Sequence, residues 1–157
     1  MERLAATRFI WLPFLLIGLA IQIVYSLLPL DDLSEGRARV VILLSYTMVI
    51  SFLIANWRLQ GMAIAAIGLA LNITVIAFNG AMPVSIDAAR SAGVSTSFEN
   101  AGVKHEASDK DTILPWLGDV IPLPGLKEVI SIGDIVLAAG IAWLVYSRTR
   151  GPRTLGE

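Results

Sequence analysis

Cysteine is absent from the 157 residues and histidine occurs once, at His105. The first absence removes disulfides, thiolate metal sites and cysteine nucleophiles, and the second removes any centre that needs several imidazoles. Charge is scarce as well. Charged residues make up 16% of the chain against 55% hydrophobic residues, and the mean hydropathy is +0.71. That balance excludes a soluble globule and places the chain among membrane proteins. With 12 basic and 13 acidic residues there is no cationic surplus to neutralise phosphates, so nucleic acid is excluded as a partner. Lipid bilayer and membrane protein, including a second copy of the chain, are the partners left.

What is abundant is apolar sequence in runs. A hydrocarbon core of about 30 Å takes on the order of 20 apolar residues, and residues 9–30, 40–56, 59–78 and 129–147 satisfy or approach that length. The expected fold class is all-α: a single domain over residues 1–157, with four transmembrane helices and a long extracytoplasmic loop, 79–128, between the third and fourth. Links at 31–39 and 56–58 are too short to cross a bundle, so the first three helices are adjacent and antiparallel. The fourth is expected to close the bundle. Residues 1–20 resemble a secretory signal, but the apolar run continues to Leu30 without a small-residue cleavage site, so it reads as an uncleaved span.

Four spans put both termini on one side. Arg3, Arg8, Arg58, Arg148, Arg150 and Arg153 lie there close to helix ends, whereas four of the six cations opposite belong to the long loop, which weighs less. The expectation is a multi-pass protein of the bacterial plasma membrane with both termini cytoplasmic.

Helices in lipid associate through small and weakly polar residues rather than by the hydrophobic effect. Each span carries such a stripe: Gly18, Gln22, Tyr25 and Ser26; Ser45, Thr47 and Ser51; Gly61, Ala65, Gly68, Asn72 and Asn79; Asp134, Ala138 and Ala142, with Gly133 and Gly140 one position behind. Given alternating helix directions, the polar members share the outer half, beneath the loop. Asp134 is the one ionisable residue inside an expected span, and such residues are costly enough to mark function. Two readings stand: a carboxylate that anchors the start of the helix, or a functional one with Arg37, Arg39, Lys127 or the Asn79 amide as partner.

The loop divides by composition. Ser85 suits the N-cap of a short helix through Ile86, Asp87, Ala88, Ala89 and Arg90, ended by Gly93. Residues 112–124 are apolar but broken by Pro115, Pro122 and Pro124, so they cannot form a fifth span. They lie in the membrane interface with Trp116 as anchor, or fold back over the bundle mouth. His105, Glu106, Asp109, Asp111 and Asp119 match no metal-ligand spacing, so neither metal nor cofactor is expected.

The run Leu71, Asn72, then Asn79-Gly80-Ala81-Met82-Pro83-Val84-Ser85, His105, Thr112, Leu117-Gly118-Asp119-Val120-Ile121-Pro122 and Ser131-Ile132-Gly133-Asp134-Ile135 resembles a family of small multi-pass bacterial membrane proteins, of actinobacteria and related Gram-positive groups, that is known as a domain of unknown function. The resemblance covers most of the chain and is strongest over residues 71–140. It implies a plasma-membrane location and draws attention to the loop and its two junctions, with Asn72, Asn79, Met82, Pro83, Trp116 and Asp134 as binding candidates. The leading expectation is a non-enzymatic accessory or scaffold component that docks a protein or lipid through the outer loop. The alternative is an intramembrane hydrolase in which Asp134 and Asp119 serve as an outer-leaflet acid and base, with His105 as a further catalytic candidate. Its span count is similar to that of lipoprotein signal peptidases, whose sequence motifs are absent here, so the likeness is architectural.

Overall fold

A computed structural model describes residues 8–27, 35–94, 105–108 and 111–149. Among them the chain forms five α-helices: α1 (Leu12–Leu27), α2 (Glu35–Ala55), α3 (Met62–Asn79), α4 (Ile86–Ala92) and α5 (Ile132–Thr149). Between α3 and α5 lie four three-residue strands, β1 (Met82–Val84), β2 (His105–Ala107), β3 (Ile121–Leu123) and β4 (Glu128–Ile130), and a 3-10 turn at Pro115–Leu117. The expectation of an all-helical chain gives way to a mostly helical one. β1 pairs in parallel with β2, and β3 forms an antiparallel hairpin with β4.

Three helices, α2, α3 and α5, are long and apolar enough to cross a membrane; α1 is apolar but shorter. Their bounds differ from the hydropathic ones for local reasons. α2 starts at Glu35 rather than at 40 and takes Arg37 and Arg39 into its first turns, because helical hydrogen bonding tolerates charged residues that hydropathy rejects. α3 starts at Met62, after Gly61 in the left-handed region, so the turn from α2 runs beyond residue 58. Val129, expected inside the fourth span, belongs to β4, and α5 begins only at Ile132.

Among the described residues the most extensive helix contacts follow a simple order. α1 packs on α2, α2 on α3, and α3, most extensively, on α5, which makes a row with α3 between α2 and α5. Val49, Phe52 and Leu53 of α2 meet Met62, Ala65 and Leu69 of α3 and Leu144 of α5 in one apolar core. A second, smaller core joins Val75 and Ile76 of α3 to Met82 and Leu117 of the connecting segment.

The α3–α5 seam is a backbone-to-backbone approach. A β-carbon on Gly140 would strike the backbone of Gly61 and Ala65, and one on Gly133 would strike the Asn72 side chain. Lipid gives helices no hydrophobic reason to associate, so this closeness is what holds the pair. On α3 the expected stripe of Gly61, Ala65, Gly68 and Asn72 is the one used. On α5 the expected Gly133, Gly140 and Asp134 face α3, but Ala138 and Ala142 are exposed, and Leu137 and Leu144 take their place in the seam. Likewise Thr47 is exposed and bonds only its own helix, whereas Ser45 is fully buried near Gly18 of α1.

Candidate functional site

Polar side chains meet where α5 begins. Ser131 precedes α5 and accepts a hydrogen bond from the Asp134 amide at 3.0 Å, while its own amide donates to Asp134 Oδ2 at 3.0 Å. This reciprocal pair is a capping box, which satisfies two of the amides that a helix start leaves without partners. Asn72 of α3 then ties the box to its neighbour: its amide donates to Asp134 Oδ1 at 2.7 Å, and its carbonyl oxygen lies 2.9 Å from Ser131 Oγ. Ser131 Oγ is also 2.9 Å from Asp134 Oδ2. A hydroxyl has one proton, so it serves Asn72 or Asp134, one at a time. Among the described residues no buried side-chain nitrogen or oxygen lacks a hydrogen-bond partner.

Asp134 thus caps α5 and ties it to α3, and the partners that hold it are Asn72 and Ser131. Arg37, Arg39, Lys127 and Asn79, the partners the sequence offered, are not the groups that hold it. The Arg39 guanidinium lies against Gly80, which ends α3 in the left-handed conformation at φ 88°. Asn79 works elsewhere: it donates to Val75 O and Ile113 O and accepts from the Ile113 amide at 2.7 Å, so one side chain grips both sides of a backbone residue.

Asp119 is 4% exposed and backbone-locked, its amide bonding Pro83 O and its carbonyl accepting from the Ser85 amide, each at 2.9 Å. Tyr46 of α2, which sequence reasoning passed over, packs against both apolar cores. Met82 and Pro83, expected as binding residues, are buried in the packing of β1 rather than presented. His105 is in β2 opposite Met82; its side chain lies outside the described residues, as do Lys104 and Asp109.

The helix expected after Ser85 forms as α4, with Ser85 capping Ala88 and Gly93 ending it. A groove of about 540 Å³ lies beside its first turn, lined by Ser85, Ile86, Asp87, Ser108, Pro115, Trp116 and Val120. Trp116 stands at its rim, 58% exposed.

Sequence inspection could have found the box, since Ser131-Ile-Gly-Asp134 before an apolar run is its usual spelling. The contribution of Asn72 depends on α3–α5 register and left no local trace.

No solved structure matches the chain. It is 33% identical over 126 residues to an uncharacterized protein of Thermotoga maritima, covering 78% of this chain and 68% of that one. The family of unknown function DUF5317 matches residues 6–146, nearly the whole of what has just been described, and the chain belongs to that family.

Proposed function

We infer that the chain is a multi-pass protein of the bacterial plasma membrane, with four spans, both termini cytoplasmic and residues 79–128 outside. It acts as a non-enzymatic accessory component that docks a membrane protein or lipid through the outer segment. The groove beside α4, with Trp116 at its rim, is the observation that carries this reading. Support for four spans comes from register. Ile10, just before α1, is held by Asn56 at the end of α2, and Gly18 sits against Ser45, Met48 and Val49. α1 therefore runs beside the same stretch of α2 that spans. A photo-crosslinking residue at Ser108 or Val120, inside the groove, should yield a discrete adduct in cells, its mass telling protein from lipid. Absence of either adduct from both positions would defeat the reading.

A second reading, hydrolysis by an outer-leaflet pair of aspartates, draws on the burial of Asp119, 4% exposed, in the segment that follows β1 and leads to Asp134. Asp134, however, is already occupied by donors from Asn72 and Ser131. Asp119→Asn and Asp134→Asn should each abolish activity if the pair does chemistry, whereas a docking component keeps its partner when folding is intact.

A further inference from the structure

The depth of the outer segment follows from helix register. Gly61 of α3 faces Gly140 and Leu144 of α5, Gly68 faces Gly133 and Leu137, and Asn72 faces Ser131 and Asp134. α5 therefore begins level with Asn72, two helical turns, or about 10 Å, below the end of α3 at Asn79. α2 runs alongside: Arg39 lies against Gly80 at the top, and Tyr46, two turns further in, packs against the core of Val75 and Ile76. The last two turns of α3 thus have no helix of α5 beside them. Met82 and Leu117 of the connecting segment pack there on Val75 and Ile76 instead, and Asn79 grips Ile113.

Those two turns are apolar and form part of the membrane-length stretch, with Phe78 62% exposed. The segment that covers them shares their depth. Irregular backbone is tolerated there only if its polar groups are satisfied internally. Part of that need is met by the β3–β4 hairpin, by the bridge of Val84 to Asp119 and by the Asn79 clamp. Large apolar side chains point outward from this segment, Ile113 at 48% exposed and Leu126, at the hairpin tip, at 71%, with the exposed charges Lys127 and Glu128 just after the tip. Leu126 cannot escape upward. Five extended residues reach about 16 Å from Ser131, and Ser131 lies about 10 Å below Asn79, so the tip stands at most about 6 Å above the end of α3. That is within the headgroup layer, about 5 to 8 Å thick on each side.

We propose that residues 113–130 form a re-entrant lid of the outer leaflet, which fills the place left by the low start of α5 and presents Ile113, Trp116 and Leu126 to phospholipid. It rests on the reading that α2, α3 and α5 cross the bilayer. An exposed tryptophan at the acyl–headgroup boundary is the usual interfacial anchor, and Lys127 and Glu128 follow Leu126 where charge meets the headgroups.

The test uses single-tryptophan versions of the full chain in phosphatidylcholine vesicles brominated on the acyl chains. Trp11, Trp57 and Trp143, all exposed, are changed to Phe to leave Trp116 alone; in a background with Trp116→Phe as well, Leu126→Trp and Phe78→Trp are added singly. The lid predicts blue-shifted emission that is lost to brominated lipid and spared by aqueous iodide at Trp116 and at position 126, as at position 78. Quenching by iodide at 116 and 126, with lipid quenching kept at 78, would overturn the lid and leave the spans standing. Iodide quenching at 78 would remove the spans and the lid with them.

Discussion

Ser131, Asp134 and Asn72 form one cooperative unit, because the Ser131 hydroxyl is both cap acceptor for the Asp134 amide and donor to a neighbour. Ser131→Ala and Asp134→Ala should each lower stability by about 1 to 2 kcal/mol, and the double variant should lose clearly less than the sum, since either change already breaks the box. Unfolding midpoints in mixed detergent would read this; full additivity would mean that the side chains act separately. Asp134 was legible as the one costly charge in a span, and its capping role was open on the sequence because Ser-x-x-Asp was there to be seen. Asn72 as its partner was not, because a contact between residues 62 positions apart depends on how two helices slide.

Two elements end in the same device. Asn56 after α2 grips the backbone of Ile10, and Asn79 at the end of α3 grips that of Ile113; each also bonds a carbonyl four residues back in its own helix. Asn56→Ala should therefore speed amide exchange and proteolysis around Ile10 while leaving the Ile113 region protected, and Asn79→Ala should do the reverse. The seam makes a sharper demand. Gly140→Leu has no room against Gly61 and Ala65 and should separate α3 from α5, with a large loss of thermal stability. Gly36→Ala meets open space inside α2 and should instead stabilise by about 0.5 to 1 kcal/mol. Hydropathy located these helices to within a few residues because apolar length is what lipid selects. It misplaced the start of α5 because Val129 and Ile130 are as apolar as a span, though they belong to a hairpin. Ala138 and Ala142 were wrongly expected in the α5 seam beside Gly133 and Gly140 for a related reason. Leu137 and Leu144 take part alongside glycine, so small size alone does not mark the contact face.

For the molecule as a whole, the four apolar helices expose large apolar side chains, among them Leu16, Ile17, Ile67 and Ile141. That surface suits lipid and leaves edges where a partner or second copy could add. The space above α5 is occupied by the connecting segment. Composition made the membrane class plain, whereas the order of helix contacts, the stagger of α5 and the strands of the connecting segment all arise from long-range contacts that periodicity cannot encode. The whole arrangement depends on which compartments its loop and tail occupy, and the absence of cysteine makes the decisive measurement clean. Ser97→Cys and Gly156→Cys should be probed singly with a membrane-impermeant maleimide on spheroplasts. The predicted result is labelling at 97 without permeabilisation and at 156 only after it; labelling of both alike, or the reverse order, would contradict the four crossings and the outward lid.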